Sequence, residues 1–149
     1  ATWVADTFGR ISYGRGAFMT LLVVVLLGDT LAYFSGRFLG RHKLAPRVSP
    51  KKTVEGAIGG LVASAAGGYL AHVFLLPGES PALMVGAGAL CGALGQLGDL
   101  TESLFKRASG TKDSGTLLPG HGGVLDRVDG VIFAAPALYA ALRLLGAVA

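Results

Sequence analysis

The sequence has a single cysteine, Cys91, and few charged residues. One cysteine excludes an internal disulfide bond and a zinc site built from cysteines. Charged residues make up 15% of the chain, whereas soluble domains carry about a quarter. Hydrophobic residues make up 52%, and the mean hydropathy is +0.59. The scarcity of charge therefore disfavours a soluble domain and predicts an all-α, polytopic membrane protein.

Other features are absent as well. The sequence has neither a solenoid-type repeat nor a low-complexity tract, and its first residues lack the charged leader and short apolar core of a signal peptide. The formal net charge is +4, but the basic residues cluster at the ends of hydrophobic segments. This placement disfavours nucleic acid as a partner and favours anionic lipid headgroups or nucleotides.

Four hydrophobic segments are long enough to cross a bilayer, for which a helix needs about 20 residues. We therefore predict four transmembrane helices in one domain, residues 1–149, at residues 16–39, 54–76, 82–105 and 130–148. Ten of the thirteen Lys and Arg residues fall within residues 37–52 and 106–127. Because cytoplasmic loops are enriched in Lys and Arg, we expect both stretches on the cytoplasmic side of the membrane.

An acidic residue, Asp29, lies inside the first predicted span. A carboxylate within the membrane is costly and by default functional, facing a polar cavity or a partner. Tyr33 follows one helical turn later, so the two side chains would line the same wall of a site. The alternative is that Asp29 lies at the membrane interface without a functional role.

The third predicted span changes from small residues to polar ones. Gln96, Asp99, Ser103 and Lys106 are three or four residues apart and therefore share one helical face. Glu102 lies beside this face, and we expect it to pair with Lys106.

The second span carries small residues at four-residue spacing, which predicts close packing against another helix: Gly56, Gly60, Ser64 and Gly68.

Residues 40–53 contain several basic residues and no acidic one. Pro46 and Pro50 break helices, so this stretch is predicted to be a loop. Its cations either anchor the cytoplasmic face of the protein or bind phosphates. His42 lies among these cations, where a surface imidazole is a better interpretation than a metal ligand.

Residues 103–129 concentrate charge in a chain that is otherwise apolar. Lys, Arg and Asp residues alternate there with glycine-rich turns around His121. Cations bind phosphate oxygens, and carboxylates bind magnesium, so the pattern is typical of a site for a phosphorylated substrate carried with a divalent metal. A solvated loop whose charges only set the topology is the alternative interpretation.

The spacing of these residues resembles the signature of the phosphatidate cytidylyltransferases, also called CDP-diacylglycerol synthases. The matching positions are Ser103, Lys106-Arg107, Lys112-Asp113, Gly115, Leu118-Pro119, His121-Gly122-Gly123 and Asp126-Arg127-Val128-Asp129. A second block is also similar: Gly28-Asp29-Thr30, Ala32-Tyr33, Gly36-Arg37, Ser49-Pro50-Lys51-Lys52-Thr53 and Glu55-Gly56.

The resemblance implies the transfer of a cytidylyl group from CTP to phosphatidate, assisted by one or two Mg²⁺ ions. The expected metal ligands are Asp99, Asp126 and Asp129, with Asp113 as a further candidate. We expect catalytic and phosphate-binding cations at Lys106, Arg107, Lys112 and Arg127. Further substrate contacts are expected from Asp29, Tyr33, Ser49, Lys51, Lys52, Thr53, Glu55, Ser103, His121, Gly122 and Gly123. For His121 the alternative is that it only shapes the glycine-rich turn.

The resemblance also implies a multi-pass protein of the bacterial inner membrane or its equivalent, and we expect a homodimer. Members of the family are longer and carry further membrane segments ahead of this region.

Two alternatives to this function remain at this point. One is a CDP-alcohol phosphotransferase, although its acidic motif has a different spacing and more carboxylates. The other is a non-catalytic membrane subunit or fragment.

Overall fold

A computed structural model describes residues 13–108 and 125–144, and within the last helix the side chains of residues 130–143. These residues form four helices and two short strands. In chain order they are α1 (Tyr13–Phe38), β1 (Lys43–Ala45), β2 (Ser49–Thr53), α2 (Val54–Phe74), α3 (Pro81–Ala108) and α4 (Leu125–Leu144). The prediction of an all-α, polytopic membrane protein is confirmed.

Helices α1, α2 and α3 are long and apolar enough to cross a membrane, and the apolar part of α4, Gly130–Arg143, is shorter. Two of the helices begin at side-chain caps. The Thr53 hydroxyl accepts a hydrogen bond from the backbone N–H of Gly56 (3.1 Å) at the start of α2. The Ser80 hydroxyl accepts one from the N–H of Leu83 (3.1 Å), directly before the proline that opens α3.

The small residues of α2 are the surface on which α1 and α3 pack, as predicted. Ser64 is fully buried between the two helices, and its hydroxyl donates to the carbonyl of Val24 in α1 (3.3 Å). A methyl group on Gly28 of α1 or on Gly92 of α3 would overlap this hydroxyl. The backbones of α1 and α3 therefore approach that of α2 closely, which lipid-embedded helices achieve through small residues.

The interior holds a cluster of buried apolar side chains from all four helices, with Val24 and Met84 fully buried. Cys91 is also buried and belongs to this cluster. Large side chains such as Phe18, Leu26 and Val62 are more than 50% exposed at 54%, 64% and 64%. This distribution fits a protein whose outer surface contacts lipid.

The prediction of an irregular loop at residues 40–53 needs correction, because this stretch contains an antiparallel hairpin. Lys43 of β1 lies opposite Thr53 of β2, and Ala45 lies opposite Ser49. A two-stranded sheet consists only of edge strands, so Pro50 costs no interior ladder hydrogen bond. The prolines exclude a helix, as expected, but they are compatible with this structure.

Two glycines of α3 provide a test of the helix packing. A methyl group on Gly88 would overlap the backbone carbonyl of Ser64, whereas a methyl group on Gly86 would meet nothing within 4 Å. We expect Gly88→Ala to lower the free energy of unfolding by about 1–3 kcal/mol because of overpacking. Gly86→Ala should leave it unchanged or raise it by up to about 1 kcal/mol, since alanine favours the helix.

Unfolding by titrated detergent, followed by circular dichroism, measures the free energy of unfolding of both variants. Equal effects of the two substitutions would contradict the packing described for α2 and α3.

Candidate functional site

A cavity of about 370 Å³ lies at the end of the bundle that carries the hairpin. We call it the hairpin-end cavity. Three helices and the hairpin contribute to its walls: Asp29, Ala32, Tyr33, Gly36, Arg37, Leu44, Lys51, Lys52, Thr53, Gly56, Ala57, Gln96 and Asp99. Apolar and charged groups therefore share one concave surface, as in sites for small polar ligands.

The wall formed by α1 consists of Asp29, Tyr33 and Arg37, which are four residues apart and share one helical face. Arg37 Nη1 donates a hydrogen bond to the Tyr33 hydroxyl (2.8 Å), which fixes the guanidinium beside the ring. Asp29 and Tyr33 are both exposed toward the cavity side of the helix, so they share one wall as the sequence predicted.

Strand β2 supplies Lys51, Lys52 and Thr53 to the lining of the cavity. Thr53 is buried at 7% exposure, because its hydroxyl caps α2 while its side chain packs against α1. A methyl group on Gly36 would come within 3.0 Å of the Thr53 hydroxyl oxygen. The glycine therefore allows the end of α1 to approach the point where the hairpin joins α2.

Helix α3 closes the cavity with Gln96 and Asp99. The Gln96 amide donates to the carbonyl of Ala57 in α2 (3.0 Å), which joins the two helices one turn before Asp99. Asp99 Oδ2 forms an ion pair with Lys52 Nζ. This pair connects the hairpin to α3 across the cavity, and its side chains remain partly exposed, at 26% for Lys52 and 47% for Asp99.

The charges that line the cavity are three cations and two carboxylates: Arg37, Lys51, Lys52, Asp29 and Asp99. Lys and Arg bind phosphate oxygens, and carboxylates bind hard cations such as Mg²⁺. In this structure the cation next to the Asp99 carboxylate is the ammonium group of Lys52. Among residues 13–108 and 130–143, however, no cluster of three or more His, Cys, Asp or Glu side chains forms a complete metal site.

The structure places Glu55 outside the lining of the cavity, with contacts to the hairpin. Its carboxylate accepts hydrogen bonds from the backbone N–H groups of Arg41 (3.1 Å) and His42 (3.2 Å) and from His42 Nδ1 (2.6 Å). Glu55 thus holds the first residues of the hairpin against the start of α2. His42 is at the surface, as predicted, with a side chain that is 78% exposed. Ser49 lies in β2 but does not line the cavity.

The last turns of α3 contact the hairpin from outside the cavity. Lys106 pairs with Glu102 (3.0 Å), which confirms the pairing expected from their spacing. Arg107 Nε donates to the carbonyl of Val48 in the turn of the hairpin (3.4 Å). Neither Lys106 nor Arg107 lines the cavity, and the same holds for Ser103. The phosphate-binding role expected for these residues stays a prediction.

Several other predicted site residues lie outside the described part of the structure: Lys112, Asp113, His121, Gly122 and Gly123. Asp126, Arg127 and Asp129 belong to the first turns of α4, but their side chains are also outside it. The contact between the backbones of α3 and α4 is given by two glycines. A methyl group on Gly95 of α3 would lie 3.5 Å from the carbonyl oxygen of Gly130, so α4 passes close to α3 next to Gln96, which lines the cavity.

Seven lining residues were not among the predicted site residues: Ala32, Gly36, Arg37, Leu44, Gly56, Ala57 and Gln96. Arg37 could have been found because it continues the four-residue spacing of Asp29 and Tyr33. Gln96 belongs to the polar face of α3 that includes Asp99. Leu44 gave no signal in the sequence, because only the hairpin brings it to the cavity.

The fold and the cavity define a polytopic membrane protein with a cation-lined site at one end of its helix bundle. Comparison with known proteins then gives the family. Residues 2–145 match the model of the cytidylyltransferase family, and the chain belongs to this family. Membership argues against the alternative of a CDP-alcohol phosphotransferase.

The chain is similar to several bacterial proteins named phosphatidate cytidylyltransferase. It is 52% identical over 134 residues to the protein of Brucella abortus biovar 1, covering 88% of this chain and 48% of that protein. It is 48% identical over 133 residues to the Haemophilus influenzae protein, covering 82% of this chain and 44% of that protein. It is 44% identical over 127 residues to the protein of Staphylococcus aureus strain COL, covering 85% of this chain and 49% of that protein. The chain thus spans about half the length of these relatives.

The contacts of Glu55 give a prediction about the hairpin. Glu55→Ala should increase amide hydrogen exchange across residues 41–53 several-fold, because the hairpin loses the acceptor at its base. His42→Ala removes only the imidazole contact and leaves the two backbone hydrogen bonds, so its effect should be smaller. Hydrogen exchange measured by mass spectrometry distinguishes the variants. Unchanged exchange in Glu55→Ala, or an equal increase in both, would contradict this role.

Proposed function

We propose that this chain carries the site at which a cytidylyl group is transferred from CTP to phosphatidate, giving CDP-diacylglycerol and pyrophosphate. One observation carries the proposal: a cavity with phosphate-binding cations and carboxylates lies at the end of membrane helices, in a chain of the cytidylyltransferase family. The names of the relatives supply the lipid substrate.

The transfer is a displacement at phosphorus. An oxygen of the lipid phosphate forms a bond to the α-phosphorus of CTP, and the bond from this phosphorus to the oxygen bridging to the β-phosphate breaks. Pyrophosphate leaves with the electron pair of that bond. The attacking phosphate is ionised at neutral pH, since the second pKa of a phosphate is about 6. The protein therefore needs to position two anions and neutralise their charge, and it needs no dedicated general base.

The lining of the cavity is suited to this task. Lys51 and Lys52 from β2 and Arg37 from α1 would bind phosphate oxygens from two sides. Tyr33 and Leu44 add apolar surface for the uncharged parts of the substrates. The signature contains a second group of cations: Lys106, Arg107, Lys112 and Arg127. From their positions in the signature, these cations would bind the remaining phosphates.

The carboxylates fit a divalent cation. Asp99 from α3 would hold Mg²⁺ together with Asp126 and Asp129 from the first turns of α4, and Asp29 lines the same cavity. Bound there, the metal would neutralise negative charge on the phosphates of the nucleotide. Asp99, Lys52 and their neighbours would then keep the reacting phosphates in a fixed geometry.

The cation-rich end of the bundle would face the cytoplasm, where CTP is available. The lipid substrate would reach the cavity from the surrounding bilayer, because the walls of the cavity are the ends of the membrane helices themselves. Dimerisation stays a prediction.

Turnover of labelled CTP tests the proposal. Purified protein supplied with Mg²⁺, phosphatidate and CTP labelled in its γ-phosphate should release labelled pyrophosphate and form CDP-diacylglycerol. Asp99→Asn keeps the shape of the side chain but removes its charge, so we expect a loss of at least about a hundredfold. Glu79→Gln, at the opposite end of the bundle, is the matched control and should leave turnover unchanged.

EDTA should abolish the reaction, since without a cation the carboxylates repel the triphosphate. Because the relatives are about twice as long, a protein extended to their full length is assayed in parallel. Absence of CDP-diacylglycerol from both proteins would overturn the proposed function. Activity in the longer protein alone would mean that this chain is a part that cannot act by itself.

A further inference from the structure

The ion pair between Lys52 and Asp99 occupies the carboxylate that the proposed function assigns to a metal ion. A cation from the chain itself thus lies where the divalent cation would bind. Both residues line the hairpin-end cavity, so the pair is part of the site and not of the protein core.

The backbones on both sides of the pair are held by other contacts. Thr53, next to Lys52, caps α2, and Gln96, one turn before Asp99, donates to the carbonyl of Ala57. Breaking the ion pair therefore requires only that two side chains change rotamer. Because both side chains are partly exposed to the cavity, the pair contributes little to stability and can open.

We propose that Lys52 is a positioning residue that holds Asp99 until the nucleotide arrives. When CTP enters with its cation, the Lys52 ammonium moves to the triphosphate, and the Asp99 carboxylate becomes available to the metal. The exchange leaves no charge unpaired, since each ion gains a partner of opposite sign and higher charge. This inference rests on the proposed function.

The exchange has a thermodynamic consequence. If Lys52 competes with the metal for Asp99, then a ligand that draws Lys52 away increases the affinity for the metal, and the metal increases the affinity for that ligand by the same factor. The site would bind the metal and the nucleotide together and would capture little free Mg²⁺. A static ion pair, in contrast, would only stabilise the docking of the hairpin on α3.

Binding of Mn²⁺ without nucleotide, measured by electron paramagnetic resonance on the purified protein, separates these cases. We expect weak binding by the wild type and binding about tenfold tighter in both Lys52→Met and Lys52→Gln, within the range of coupling between two sites. Lys52→Arg retains a cation that can pair with Asp99 and should bind as weakly as the wild type.

Lys51→Met is the matched control. It removes the same charge from the same cavity but leaves the ion pair intact, so its Mn²⁺ affinity should change much less. The double variant Lys52→Met/Asp99→Asn should lose the added affinity, because the carboxylate that was released is gone.

Three results would overturn the inference: unchanged Mn²⁺ affinity in the folded Lys52 variants, an equal gain in Lys51→Met, or retention of the gain without Asp99. A wild type that already binds Mn²⁺ tightly through Asp99, shown by loss of that binding in Asp99→Asn, would overturn it without any Lys52 variant. The Mn²⁺ measurement does not depend on turnover. Overturning this inference would therefore leave the proposed function intact, and a negative CTP assay would leave the Mn²⁺ affinities of the variants interpretable.

Discussion

Close approach of helix backbones along the small residues of α2 is the constraint on which the rest of the structure depends. Lipid chains are as apolar as the side chains that they surround, so burial alone does not hold membrane helices together. Ser64 contributes instead through its fit between Gly28 and Gly92 and through its hydrogen bond to the carbonyl of Val24. A larger side chain at this level would move α1 and α3 away from α2, and the walls of the cavity would separate with them.

The same three helices position the charged groups. Gly36 lets the end of α1 approach Thr53, and Thr53 in turn caps α2 at the point where the hairpin ends. Glu55 fixes the start of the hairpin, and Arg107 reaches its turn from α3. The hairpin is thus held at its base, its turn and its end, so that Lys51 and Lys52 line the same cavity as the carboxylates of α1 and α3. The close packing of α1, α2 and α3 therefore also determines where the charged side chains lie at the end of the bundle.

The local features of this arrangement could be predicted from the sequence. The four helices, the small face of α2 and the pairing of Glu102 with Lys106 depend on spacing within one segment. Some boundaries differed: α1 starts at Tyr13, α3 ends at Ala108 and α4 starts at Leu125, because these helices continue beyond the apolar part that crosses the bilayer. The hairpin, the role of Glu55 and the pair of Lys52 with Asp99 were not predictable, because they join residues that only the folded chain brings together.

The proposed function requires that CTP binds in the hairpin-end cavity from the cytoplasmic side. It is tested most directly with single cysteines in a Cys91→Ala background, at Leu44, which lines the cavity, and at Gly78, whose surroundings at the other end are open. In sealed vesicles of known orientation, an impermeant maleimide should reach Leu44→Cys only from the cytoplasmic face and Gly78→Cys only from the opposite face. In purified protein, CTP with Mg²⁺ should slow labelling of Leu44→Cys and leave Gly78→Cys unaffected. Labelling of Leu44→Cys from the outer face, or at a rate that CTP does not change, would contradict the account.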